Sequence, residues 1–180
     1  EIDQILEPIF SLFDVVENPE ITLEANPDDL STDRIVALSK SKINRLSIGI
    51  QSFYEDDLQL MNRAHNADEA LQCLKRATQY FDNISIDFIY GMPNMSLEKW
   101  RSNVNVALSL NIPHISSYAL TVEPKTALAT LIKKGKIANT DDGLAHEHFL
   151  ALVEMLENAG FVHYELSIFG KPEYFSKNNS

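Results

Sequence analysis

The stretch Asn44-Arg-Leu-Ser-Ile-Gly-Ile-Gln-Ser-Phe53 decides how the rest of the chain is read. Leu46, Ile48 and Ile50 fall on one phase of a period-2 pattern, and Arg45, Ser47, Gly49 and Gln51 fall on the other. Taken alone, the segment fits a half-exposed antiparallel strand. The same pattern recurs, however, in Ile21-Thr-Leu-Glu-Ala-Asn-Pro27, where Thr22, Glu24 and Asn26 alternate with apolar residues. It appears again in Ile84-Ser-Ile-Asp-Phe-Ile89, with Ser85 and Asp87 on the polar phase.

Helical periodicity fills the gaps between these strands. Ser31 is placed to cap a helix carrying Ile35, Val36 and Leu38. Glu55-Asp-Asp57 favours the start of a short helix through Leu60, and Asn66 with Glu69 has capping-box spacing ahead of Ala70, Leu71, Leu74, Ala77 and Phe81. Ser96 heads a helix with Leu97, Trp100, Val104 and Leu108, and a strand over residues 114–120 follows. A helix over residues 127–134 and a longer one carrying Leu144, His148, Phe149, Leu152, Val153 and Leu156 lead to Gly160, a C′ position, and to a fifth strand over residues 162–167. At the start, Ile5, Leu6, Ile9, Phe10 and Phe13 recur at helical spacing despite Pro8.

Five strands beginning near residues 21, 45, 84, 114 and 162, each separated from the next by helix, require a parallel α/β sheet. Parallel strands covered on both faces read as continuous apolar runs, and three of these do not; His163, Glu165 and Ser167 suggest a fourth polar phase. The conflict resolves if the sheet curls into a barrel or half-barrel, with apolar residues toward outer helices and polar residues toward a ligand-filled interior. An open doubly wound sheet is the alternative. Its functional groups sit on loops, whereas Glu24 and Asp87 lie within strands near their carboxyl ends.

Composition narrows the function classes. The 180 residues are 44% hydrophobic and 23% charged, ordinary for one globular domain, and no repeat, low-complexity stretch or linker divides them. A net charge of −11 and the absence of a Lys/Arg run beyond Lys133-Lys134 exclude a nucleic-acid backbone as main partner. No apolar run reaches the length of a membrane span and no secretory leader is visible, so the cytoplasm is the expected compartment. Cys73, the only cysteine, sits near an apolar helical stripe and reads as a buried thiol; it can form neither an internal disulfide nor a multi-thiolate metal site. His65, His114, His146, His148 and His163 lack metal-ligand spacing and read as structural. There is no Gly-rich phosphate loop and no G-x-S-x-G elbow.

Six segments in order carry a resemblance: Ile21 to Pro27, Asn44 to Phe53, Met61-Asn-Arg-Ala-His65, Ile86-Asp-Phe-Ile-Tyr-Gly-Met-Pro93, His114-Ile-Ser-Ser-Tyr118 and Tyr164-Glu-Leu-Ser167. Together they resemble the radical S-adenosylmethionine family of oxygen-independent coproporphyrinogen III oxidases, and within it the oxidase-like heme chaperones more than the true oxidases. The resemblance implies a partial parallel (β/α) barrel, with about five of its six strands in this chain, and S-adenosylmethionine held beside a [4Fe-4S] cluster. It also implies that Glu24 accepts from the methionine ammonium, Arg63 grips the carboxylate, and Gln51 and Asp87 bond the ribose hydroxyls, with these pairings exchangeable among the four.

The chain departs from that family in two places. The three thiolates of a C-x-x-x-C-x-x-C motif are not in it, so the resemblance implies an internal piece that holds no cluster by itself, with the cluster segment before Glu1 and a C-terminal domain after Ser180. A His-Asn pair of the chaperone branch corresponds to Asn178-Asn179, which leaves heme binding without support from these residues. Two readings outside radical chemistry remain open: a non-catalytic heme-handling protein, and a barrel hydrolase using Glu24 and Asp87 as an acid/base pair. With strands missing beside Ile21, that edge of the barrel is expected to be open and to favour self-association.

Overall fold

The computed structural model describes residues 2–177. In chain order they form α1 (Ile2–Leu12), β1 (Thr22–Ala25), α2 (Thr32–Ser39), β2 (Arg45–Gln51), α3 (Glu55–Leu60) and α4 (Ala67–Ala77). These are followed by β3 (Ile84–Tyr90), α5 (Leu97–Ser109), β4 (His114–Ala119), α6 (Ala127–Lys133), α7 (Asp142–Asn158), β5 (Val162–Glu165) and β6 (Ile168–Gly170). The expected caps are present: Ser31 accepts from Arg34 N–H, Ser96 accepts from Lys99 N–H, and Asn66 and Glu69 close a reciprocal capping box. Gly160 takes the left-handed conformation, φ +82°, after α7.

The six strands form one sheet in the order β1-β2-β3-β4-β6-β5. β1 through β4 pair in parallel, each with its sequence neighbour. Leu46, Ile48 and Ile50 of β2 and Ile84, Ile86 and Phe88 of β3 are buried in one core with Ile35 of α2, Leu74 of α4, Trp100 and Val104 of α5, and Leu152 and Leu156 of α7. The opposite phase lines cavities instead. One of about 430 Å³ has Thr22, Glu24, Arg45, Ser47, Ser85, Asp87 and Ser116 among its walls. Helices on one face and a polar hollow on the other are what a barrel wall requires, and a doubly wound sheet with both faces covered does not have them.

One expectation is corrected. The strand expected over residues 162–167 does not extend the parallel array. β5 ends at Glu165, the chain turns at Leu166-Ser167, and β6 returns antiparallel to both β5 and β4, taking the place beside β4. Phe169 drives this insertion: it is fully buried and stacks on His163 with ring centroids 4.2 Å apart. The Ser117 amide bonds the Ser167 carbonyl at 2.8 Å and fixes the turn against β4. The apolar stripe of α1 is mostly uncovered. Ile2 and Leu6 pack on the core, but Ile5, Ile9, Leu12 and Phe13 are exposed, Leu12 at 76%. Pro8 lies within this helix without ending it. The position compared with the chaperone branch, Asn178, lies outside the described residues.

Candidate functional site

Parallel pairing brings the carboxyl ends of β1, β2 and β3 together. Glu24 pairs with Ser47, Ser47 with Ser85, and Asp87 with Ser116 across the sheet. Above these, a cavity of about 260 Å³ is lined by Glu24, Asn26, Asp29, Ser47, Gln51 and Asp87 together with Ala25 and Gly49. Three of the four expected site residues, Glu24, Gln51 and Asp87, therefore share one hollow. Arg63 does not line it. It lies on the loop after α3, near enough for its positive charge to act on Asp87.

Gln51 is held in an unusual backbone state. Its φ is +66°, rare for a residue with a side chain, and it is only 7% exposed. The Ser52 amide bonds back to the Ile50 carbonyl at 2.8 Å around it, and the β2–β3 register shifts between Ile48 and Gln51. Strain of this kind persists only where the surroundings hold it. Here Ser52 Oγ donates to Asp57 Oδ2 at 2.7 Å, and the Phe53 amide donates to Asn103 Oδ1 at 2.7 Å. Asp57 in turn pairs with Lys99 at 2.6 Å. His65 Nε2 bonds the Ile50 carbonyl at 3.2 Å and so ties the loop bearing Arg63 to the end of β2.

Gly49 completes the cradle. A Cβ there would stand 2.9 Å from Gln51 Nε2 and 3.2 Å from Asn26 Oδ1, so the missing side chain keeps the Gln51 amide and the hollow in place. Just past the neighbouring strand, Gly91 at φ +72° donates its amide to His148 Nδ1 at 3.1 Å, which anchors the end of β3 to α7.

The electrostatics of the hollow centre on Asp87. Burial, the largest cause, and the nearby Glu24 raise its pKa from 3.8 to about 6; a hydrogen bond with Ser116 and the charges of Arg45 and Arg63 oppose the rise. Such a carboxyl accepts hydrogen bonds from hydroxyls readily and is poised to respond to a cation or donor entering the hollow. Cys73 belongs to none of this. It is fully buried on α4 against the outer face of the sheet, and desolvation pushes its thiol up to about 11. Among the described residues, no group of three or more His, Cys, Asp or Glu side chains could hold a metal ion.

Some residues that support the walls of these cavities carry no functional signal in the sequence. Asn103 and Asp57 looked like helix residues, and Arg45 and His114 meet only through strand register. The motif Gln51-Ser-Phe53 was the available clue to the first pair, since its hydroxyl and amide need fixed partners.

The Radical SAM superfamily model matches residues 3–107. The chain belongs to the radical SAM superfamily. Over 179 residues this radical SAM chain is 35% identical to the heme chaperone HemW of Bacillus subtilis (strain 168), an alignment covering 99% of this chain and 46% of that protein. It is 35% identical over 176 residues to radical S-adenosyl methionine domain-containing protein 1, mitochondrial, of Bos taurus, covering 97% and 40% respectively. The chain thus spans about half the length, or less, of these curated relatives. In structure it is similar to coproporphyrinogen III oxidase (HemN) from Escherichia coli, a radical SAM enzyme, with a TM-score of 0.80 and 22% identity over 96% of this chain and 40% of that one. That likeness shows the barrel fold. No helix among the described residues is long and apolar enough to cross a membrane.

Proposed function

We propose that these residues form the S-adenosylmethionine-binding wall of a cytoplasmic radical S-adenosylmethionine protein of the heme-chaperone kind, acting in heme or porphyrin metabolism. The observation that carries this reading is the convergence of Glu24, Gln51 and Asp87 on one polar hollow, with Gln51 locked in a left-handed turn above Gly49. The donor set fits the cofactor. Glu24 offers a carboxylate to the methionine ammonium, Gln51 offers a donor–acceptor amide and Asp87 an acceptor to the ribose hydroxyls, and Arg63, on its loop beside the hollow, offers a guanidinium to the methionine carboxylate. The names of the relatives support heme as the associated ligand.

A [4Fe-4S] cluster does not fit the residues of this chain, because its ligands are thiolates and Cys73 is buried behind the sheet. Thiolates for such a cluster would have to come from outside these residues, and the chain's own part is to bind and orient S-adenosylmethionine.

Calorimetric titration with S-adenosylmethionine tests the reading. Arg63→Ala should weaken binding by about 1.5–3 kcal/mol, the worth of a hydrogen bond to a charged group. Unchanged affinity would remove Arg63 from the site, and affinity insensitive to Glu24→Gln as well would overturn the assignment of the hollow.

A further inference from the structure

What holds Gln51 in place lies outside the hollow it lines. The Ile50 carbonyl accepts from the Ser52 amide, two residues on, at 2.8 Å, while Gln51 has φ +66°. This is the positive-φ form of the γ-turn, rare and strained for a residue with a side chain. On the entry side, His65 Nε2 also bonds the Ile50 carbonyl. On the exit side, Ser52 and Phe53 are gripped by Asp57 of α3 and Asn103 of α5, neither of which lines the hollow.

The direction of each bond in this grip is fixed by its neighbours. A backbone N–H only donates, so Asn103 Oδ1 accepts from Phe53 at 2.7 Å, and the Asn103 amide nitrogen donates to Ser52 Oγ at 3.1 Å. Ser52 Oγ also accepts from the Tyr54 amide at 3.2 Å, and its single proton goes to Asp57 Oδ2 at 2.7 Å rather than to Asn103 Oδ1 at 3.4 Å. Asp57 Oδ1 in turn takes Lys99 at 2.6 Å, a residue four before Asn103 and on the same face of α5. Ser52 and Asn103 are 0% exposed and Asp57 is 3% exposed, so each link that is cut leaves a buried polar group unpaired.

We propose that Ser52, Asp57 and Asn103 are positioning residues: they hold Gln51 in its left-handed turn so that its amide stays at the hollow, and thereby set the affinity of the hollow for the hydroxyls of a ribose-bearing ligand. The ligand half of this inference rests on the cofactor reading, and the turn half does not. With the Ser52 hydroxyl and the Phe53 amide fixed from α3 and α5, the turn cannot relax without breaking one of those bonds. With the grip cut, Gln51 returns to the negative φ that a side chain prefers, which re-aims that side chain and gives up its place over Gly49. Two helices on the outer face of the sheet thus act on a ligand they do not touch.

Gln51 in the isotope-labelled chain reports its own turn without any ligand, through a strong intraresidue N–H to Hα NOE that an extended residue lacks. Asn103→Ala, and Ser52→Ala as the smaller excision, should weaken that NOE and speed exchange of the Ser52 amide by about tenfold, while the Leu46 and Ile48 amides exchange as in wild type. S-adenosylmethionine titrated by calorimetry should bind about tenfold more weakly to either variant. Gln51→Gly, in which positive φ carries no strain, separates positioning from general loosening: adding Asn103→Ala to it should weaken binding no further. The inference is overturned by a Gln51 that keeps its left-handed signature in both variants, by unchanged affinity where that signature is lost, or by an Asn103→Ala effect as large in the Gln51→Gly chain as in wild type. Fast exchange at Leu46 and Ile48 in both variants overturns it too, because the grip would then hold the sheet rather than the turn. A wild-type chain that binds no S-adenosylmethionine brings down the cofactor reading instead, and the NOE and the Ser52 exchange then decide the turn by themselves.

Discussion

Replacing Asp87 with Asn should stabilise the chain at neutral pH and remove part of its pH dependence. Burial raises the pKa of this carboxyl from 3.8 to about 6, with Glu24 adding repulsion. Below about pH 4 the folded and unfolded chains both hold the proton, and nothing is lost. As pH rises from about 4 to about 6 the unfolded chain releases its proton first, so folding stability falls through that window and then stays level. The interval between 3.8 and about 6 corresponds to at most about 3 kcal/mol. Water reaching the open hollow reduces the expected effect to about 1–2 kcal/mol. Asn keeps an oxygen for the Ser116 hydroxyl and carries no charge. His114 acts in the opposite sense: with its pKa lowered from 6.5 to about 3, stability falls as pH drops below 6.5. Urea unfolding of wild type and Asp87→Asn, at steps from about pH 4 to about pH 8, isolates Asp87, because the His114 contribution cancels in the difference between the two curves. That difference should be near zero at the acid end and favour Asn by about 1–2 kcal/mol above pH 6.5. A difference that stays constant across the range, or a variant less stable at neutral pH, would refute the claim that the fold holds a strained carboxylate here.

Tyr164→Phe removes the hydroxyl between His114 Nε2 and the Ser176 amide; leaving those donors unpaired should cost about 1–3 kcal/mol in urea unfolding, and a loss below about 0.5 kcal/mol would show that the network carries no stability. Anaerobic reconstitution with iron and sulfide should leave the 180-residue chain without a stoichiometric [4Fe-4S] cluster, since its only thiol is buried; iron analysis and visible absorbance would reveal the contrary. β1 is an edge strand, so the chain should self-associate as its concentration rises despite a net charge of −11, whose repulsion salt screens. Sedimentation showing a monomer at every concentration, with the β1 amides as protected from hydrogen exchange as those of β2, would mean that the edge is covered.

What the sequence determined by itself was set by short-range rules. The alternation in β1, β2 and β3 announced a sheet with one polar face, and the caps at Ser31, Asn66 and Ser96 marked where helices begin, because a cap bonds amides two or three residues away. The strand-end motifs also placed Glu24, Gln51 and Asp87 on one face, and parallel register then brought them to one hollow. Tertiary structure decided the rest. Leu166-Ser167 contains no Gly, Pro or Asn to announce a turn, and Ile168-Phe169-Gly170 is too short for a period, so the hairpin became legible only when Phe169 found its place beside β4. The periodicity of α1 revealed an apolar stripe but not whether anything covers it, and most of it is uncovered. Arg45, His114 and Tyr164 are scattered along the chain and become one buried network because register and burial are sums over contacts between distant segments, which no local pattern encodes.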